Sequence, residues 1–295
     1  MFSALINNVL AKKNTFEKDF EKLDEHCCDF IARNREFSVL GNFILKKGKR
    51  VRSILYFDLW RENTMNSFKK YETISLLEII HFASIIHDDV IDGNDNRRGE
   101  NSFAKQYGKK MSIAFGDFIF CEAIKEFLRL HKNDDLIKNL FLRECSATAY
   151  GAVLEQKLTI FSTFSDYVRV VSLKTSPFFK LCCFLGKYLS TYDFYKAKKA
   201  AVFGICFGIV FQAQNDINCY CHDNYLSSED FIQTSITLPI IILRDLFGYD
   251  IKKLKKNDQN SYELIRDVVS SEKFKITVSK RLCKFIEYVD KYMFP

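Results

Sequence analysis

The sequence predicts an all-α protein, and three observations carry that expectation. Only 3 Pro and 11 Gly punctuate 295 residues, too few for turn-dense sandwiches and barrels. Apolar residues recur at three- and four-residue steps over long stretches, the period of a helix. With 47% hydrophobic and 27% charged residues, the chain has the composition of a large globular unit that buries a substantial core. No repeat period and no low-complexity linker interrupts it, so a single domain over residues 1–295 is expected, a bundle of roughly ten helices.

Residues 1–10 are amphipathic but lack the apolar block and small-residue cleavage site of a secretory signal, and Glu17, Asp19 and Glu21 weigh against a transit peptide. No run of about 18 uncharged apolar residues occurs, so a membrane span is not expected. The 10 Cys are scattered, with Cys27 beside Cys28 and Cys182 beside Cys183, and lack CxxC spacing. A reducing, cytoplasmic setting is expected. Over 71–92, Ile74, Leu77, Phe82, Ile85 and Ile86 keep helical spacing while Ile79 and Ile80 make nearly every face apolar, which predicts a buried helix. Similar patterns predict helices over 115–130, 136–161, 167–189, 194–218 and 236–246, with polar loops near Asn133 and over 221–234.

The net charge of +7 suits nucleic acid, an anionic membrane or phosphorylated small molecules, and does not choose between them. Its densest stretch, KKGKRVR at 46–52, reads equally as a solvated face, a localisation signal or a phosphate-contacting patch. No nucleic-acid-binding module accompanies it, so nucleic acid is not an expected partner.

The chemistry concentrates at the end of the buried helix, where HFASIIHDDVID at 81–92 puts three carboxylates within five residues. Asp88 and Asp92 stand one turn apart, a like-charge pair that costs about 0.2–0.5 kcal/mol on an isolated helix. Acids are also unfavourable near a helix C-terminus, where the macrodipole is negative. Oxygen ligands on one helix face suit Mg²⁺, which keeps several waters and completes its shell with phosphate. Arg97 and Arg98 follow in the next loop, and guanidinium forks match phosphate oxygens. A diphosphate substrate is implied.

These residues resemble the trans-isoprenyl diphosphate synthases, within which the likeness is nearest the long-chain polyprenyl diphosphate synthases. Six landmarks stand in the family's order: Gly48, Lys49, Arg50, Val51 and Arg52 for GKRxR; the DDxxD of 88–92 with RRG; Gly116 and Asp117; Lys174 and Thr175; Phe211 and Gln212; and Thr237, Leu238 and Pro239. The resemblance implies an isoprenoid synthase fold, a helical bundle around a central cavity. It implies a prenyltransferase that condenses an allylic diphosphate with isopentenyl diphosphate. Asp88 and Asp92 would hold Mg²⁺, with Asp89 and Asp216 completing the metal set, and Arg97 would touch the allylic diphosphate. Lys49, Arg50, Arg52, His81, Arg98 and Phe211 would bind substrate, and Lys174, Thr175, Gln212 and Arg97 would serve catalysis. Without the resemblance His81 reads equally as a satisfied core histidine, and Lys174 and Thr175 as a helix boundary before Pro177. A homodimer, or a heterodimer with a related subunit, is implied, with peripheral membrane contact at product release a further expectation.

The departures cluster at the second aspartate-rich motif. Asn215 stands where the first acid belongs, Cys219 replaces the last with a soft thiol, and Asp216, with Asp223 further on, retains oxygen donors. Thr234 and Ser235 replace the usual Gly-Lys, Glu155 with Gln156 stands for the usual glutamine, and Ser53 replaces a proline. Two readings follow: an active long-chain synthase, or a catalytically weak regulatory subunit of a heteromeric one. Ala83 and Ser84, small residues one turn before Asp88, are expected to leave room for a long product, unless a closely packed helix explains their size.

Overall fold

The computed structural model describes residues 2–33, 48–60, 67–97, 99–220, 236–254 and 259–293. Its helices are α1 (Phe2–Ala11), α2 (Glu17–Arg33), α3 (Val51–Leu59), α4 (Ser67–Asp92), α5 (Phe103–Tyr107), α6 (Lys109–Leu130), α7 (Asp135–Glu155) and α8 (Phe164–Lys174). They continue with α9 (Ser176–Thr191), α10 (Phe194–Asn218), α11 (Leu238–Phe247), α12 (Gln259–Ser270) and α13 (Glu272–Met293). Among the described residues the only strands are a two-residue antiparallel pair, β1 (Asn96–Arg97) and β2 (Glu100–Asn101). The all-α expectation holds, because long apolar stripes are buried by other helices more readily than by turns the chain lacks.

The helices gather into two compact units. The first comprises Leu5–Glu144 and Phe178–Ala201. Here α4 packs along α6 and against α2. Ile74, Leu77, Ile80, Ala83 and Ile86 of α4 are buried, as are Leu23, Cys27 and Phe30 of α2 and Ile119, Ala123 and Phe127 of α6. Each buried Leu, Ile or Phe contributes about 1.5–3 kcal/mol. Phe127 stacks on Phe141 of α7 with ring centroids 3.8 Å apart. At the end of α6, burial pulls the pKa of His131 down to about 4, and its Nε2 lies 3.0 Å from the Thr73 hydroxyl.

The second unit comprises Met1–Ala4, Cys145–Pro177 and Val202–Pro295. Its core joins Tyr167 and Val171 of α8, Ile209 and Ala213 of α10, and Ile241 and Ile242 of α11 to Ile265 of α12 and Phe274 of α13. Two expected helices are corrected here. The stretch 136–161 stops being helical at Glu155, where bonds tighten to Lys157 N→Leu154 O and Leu158 N→Glu155 O. Thr163 then opens α8 with a capping box, its hydroxyl accepting from Asp166 N while Asp166 accepts from Thr163 N. The stretch 167–189 is two helices that part at Thr175, because Pro177, in the first turn of α9, has no N–H to continue α8. By length and composition α10 could cross a membrane, but half of its most apolar window is buried in the fold, as in a core helix. The expected loop over 221–234 lies outside the described residues.

Candidate active site

On α4 the first aspartate motif divides by burial. Asp88 and Asp92 are half-buried, whereas Asp89 between them is 2% exposed. Arg97 returns from β1 to hold it, donating from Nε to both carboxylate oxygens at 2.8 Å and from a terminal nitrogen at 2.5 Å. Burial pushes the Asp89 carboxyl up, against the pull of Arg97. The chain reaches this arrangement because α4 ends at Asp92 and Asn94 N closes onto Asp89 O at 2.9 Å. The Ser102 hydroxyl then donates to Asn94 O at 2.6 Å. The Asp89 oxygens accept from Arg97, which ties the following loop to the end of α4. Arg98 lies outside the described residues.

The GD landmark acquires a role in the same place. A Cβ on Gly116 would stand 2.4 Å from His87 Nε2, so only glycine lets the imidazole lie against α6. There Nε2 sits 3.2 Å from Asp117 and 3.3 Å from Ile113 O. His87, which the sequence reading passed over, thus keys the end of α4 to α6 one residue before Asp88.

Two turns up the same face of α4, His81 Nε2 lies 2.9 Å from the Arg52 guanidinium, which rests over the Phe179 ring at 4.5 Å. Burial pulls the Arg52 pKa down, with Glu78 holding it up, and its Nε is buried with no hydrogen-bond partner among the described residues. A half-buried cation whose Nε is buried with a donor to spare suits an anion. Lys49 is exposed just before α3. Arg50 sits left-handed at φ 47° ahead of α3 and turns to pair with Asp24 of α2, over the Phe20 ring, so its charge braces two helices. Ser53, in the place of the family's proline, is fully buried and donates to Glu78.

In the second unit, Lys174 Nζ pairs with Glu155 at 2.5 Å. A Cβ on Gly151 would come within 2.3 Å of Lys174 N, so glycine is what lets α7 approach the backbone of α8 there. The Thr175 hydroxyl donates to Gln212 Oε1 at 3.3 Å, and Gln212 Nε2 donates to Asp216 Oδ1 at 2.8 Å. Asp216 Oδ2 accepts from Tyr167 at 2.7 Å and from Leu238 N at 3.3 Å. Phe211 stacks on buried Phe207. Asp216 is 7% exposed, and burial raises its pKa to about 6 against these three donors. Its carboxylate joins α8, α10 and α11 as a clasp. Nothing in the sequence pointed to Tyr167, its partner 49 residues upstream. Asn215 and Cys219 are half-buried; Asp223, Thr234 and Ser235 lie outside the described residues.

Among the described residues no group of three or more His, Cys, Asp or Glu is gathered closely enough to hold a metal alone. Two oxygen-donor side chains, Asp88 and Asp92, fit a hard divalent ion that takes its remaining ligands from water and phosphate. Of the product-length pair, Ser84 is half-buried on the face of Asp88 and its hydroxyl donates to His81 O at 2.7 Å. Ala83 is fully buried with Ile79, Ile80 and Ile86 on the packed side.

An all-helical scaffold with this DDxxD helix defines the isoprenoid synthase class. Among solved structures, the heptaprenyl diphosphate synthase of Staphylococcus aureus superposes with a TM-score of 0.77 at 21% identity, covering 93% of this chain and 91% of that one. A polyprenyl synthase from Caulobacter crescentus, complexed with calcium and isoprenyl diphosphate, superposes at 0.74 and 19% identity over 97% of this chain and 88% of that one. The chain belongs to the polyprenyl synthetase family, whose model matches residues 36–271. It is 25% identical to heptaprenyl diphosphate synthase component 2 of Bacillus subtilis, over 72% of this chain and 65% of that protein. The chain spans 63–66% of the length of three curated relatives it matches.

Proposed function

We propose that this protein is a trans-polyprenyl diphosphate synthase that condenses an allylic diphosphate with isopentenyl diphosphate, acting as one polyprenyl synthetase domain. The carrying observation is the α4 face on which an acid pair, Asp88 and Asp92, stands two turns from the Arg52–His81 pair with its unsatisfied buried donor. Such a face has a metal-dependent place for one diphosphate and a cationic place for another. Mg²⁺ is the ion the donor chemistry favours, and the calcium in the Caulobacter protein supports a divalent ion in this family.

In the reaction, the allylic carbon–oxygen bond breaks and its electron pair leaves with pyrophosphate. Held at Asp88 and Asp92, Mg²⁺ would supply the positive charge that such a leaving group demands. Arg52, His81 and exposed Lys49 would hold isopentenyl diphosphate so that its double bond meets the allylic carbon. The proton released after attack passes to pyrophosphate, so the chain needs no dedicated base. Lys174 is tied to Glu155, and Thr175 with Gln212 to Asp216, so these residues would act through the shape of their network.

A second reading has one observation in its favour: the half-buried positions of the second motif are Asn215 and Cys219, poor ligands for a hard ion. On that reading the chain supports a related catalytic subunit, which the component 2 name of the Bacillus relative suits. Either reading uses a dimer, for which the exposed apolar Met111, Ile113 and Phe118 on α6 offer a surface. A cytoplasmic place with membrane contact at product release suits its scattered cysteines, which lack CxxC spacing. Purified protein incubated with Mg²⁺, farnesyl or geranylgeranyl diphosphate and labelled isopentenyl diphosphate tests this. Product from the chain alone supports the synthase, product only beside a related subunit supports the second reading, and none in either case overturns both.

A further inference from the structure

The turn joining α9 to α10 carries a conformational cost that local structure does not explain. Tyr192 adopts φ 50°, where a glycine normally ends a helix and where other residues are strained. The conformation is fixed on both sides: Tyr192 N donates to Tyr188 O at 2.7 Å, and Asp193 caps α10 by accepting from Lys196 N at 3.0 Å. Yet the ring this strained residue carries is 59% exposed, beside Phe194 at 43% and Tyr195 at 79%. Three neighbouring aromatics facing water on a turn are rare in a folded unit.

The charge around them is mostly basic. Lys196 is paired with Asp193 at 2.8 Å, while Lys198 and Lys199 are exposed and Lys187 is half-buried on α9. Asp134 lies near Tyr188. Tyrosines with an apolar body and a polar tip, ringed by lysines, match the boundary of an anionic bilayer, where each nearby lysine strengthens attraction.

We infer that the α9–α10 turn is a docking surface for an anionic lipid bilayer, with Tyr192, Phe194 and Tyr195 entering the headgroup layer and Lys198 and Lys199 meeting lipid phosphates. This deepens the membrane contact proposed above and rests on that reading. Vesicle binding is measured without substrate, so its failure leaves the prenyltransferase reading standing.

Full-length protein is floated with vesicles of phosphatidylcholine alone and with phosphatidylserine added. The parent is expected to float with the anionic vesicles only. Lys198→Ala with Lys199→Ala should lower affinity about 30-fold, from about 1 kcal/mol per lysine. Tyr192→Ser with Tyr195→Ser should lower it on the order of tenfold by removing apolar contact. Tyr192→Gly should raise the melting temperature while weakening binding, because it relieves the strain and removes the ring. Circular dichroism verifies that the variants are folded. Lys252→Ala with Lys253→Ala, at exposed lysines of the other unit, should bind like the parent. The inference is overturned if the parent stays with the soluble fraction, or if the Lys252 and Lys253 pair matters as much. It is overturned equally if the tyrosine variants bind undiminished, the behaviour of a general polyanion or soluble-protein contact.

Discussion

The two aspartate motifs occupy helix ends in different units and share one pattern of burial. In 88–92 the middle acid, Asp89, is buried while Asp88 and Asp92 are half-buried; in 215–219 the middle acid, Asp216, is buried while Asn215 and Cys219 are half-buried. Each buried acid is consumed by protein donors, Arg97 in one case and Tyr167, Gln212 and Leu238 N in the other. The comparison separates two jobs that the motif hides. The middle position builds the fold and is an acid in both motifs; the outer positions face outward and are acids only in the first. On the proposed reading, losing an outer acid would cost a metal its ligand and leave the clasp intact.

The largest effects should come from breaking the clasps. Arg97→Ala would leave Asp89 buried and unpaired, at a cost of about 3–5 kcal/mol. A markedly lower urea midpoint is expected, and a midpoint unchanged from the parent would show that Asp89 is no anchor. Asp216→Ala would strand the Tyr167 hydroxyl and Gln212 amide, at about 1–3 kcal/mol each.

A next step down is the pH dependence of Asp216. Its pKa is about 6 in the fold against 3.8 for an ordinary carboxyl, so the folded state holds the proton more tightly. Its contribution to stability is therefore full below about pH 4 and is lost as pH rises through 6. Two units of separation correspond to about 3 kcal/mol. Between pH 7 and 5 the parent should gain stability relative to Asp216→Asn, followed by urea melts at each pH. A constant difference would mean that the carboxyl titrates normally.

Much of this was legible in the chain. The spacing of Ile74, Leu77 and Ile86 announced α4, and the four-residue step from Asp88 to Asp92 announced its outward acids. Periodicity says which face is apolar but not which partner a polar residue finds. Arg50 stands beside Lys49 and Arg52 as a third basic residue, and nothing in that stretch announced its pair with Asp24 of α2. Ala83 and Ser84 are neighbours in sequence, but a 100° step between them puts one in the core and the other beside His81. Asp216 was recognisable as an acid in a motif, while its clasp needed α8 and α11, distant in the chain. Thr175 was read both as catalytic and as a boundary; the helices do part there before Pro177, and only the fold brings its hydroxyl to Gln212.

The two sides of α4 sharpen the comparison further. Ala83→Tyr forces a ring into a fully buried site and should destabilise by about 1–3 kcal/mol or more. Ser84→Tyr should leave the melting curve close to the parent's and shorten the prenyl product. An unshifted product distribution from Ser84→Tyr would take Ser84 out of length control. Smaller still is the effect of restoring the second motif. Asn215→Asp should lower the Mg²⁺ needed for half-maximal turnover by about fivefold, the size of a ~1 kcal/mol gain.

The central claim is that metal-dependent diphosphate binding belongs to the outer acids of α4 and not to Asp216. Calorimetric titration of an allylic diphosphate at a fixed Mg²⁺ concentration, on Asp88→Asn and Asp216→Asn compared at equal folded fraction, tests it most directly. Asp88→Asn should lose the Mg²⁺-dependent part of the affinity, while Asp216→Asn keeps it. The reverse order, or equal losses in both variants, would contradict the account.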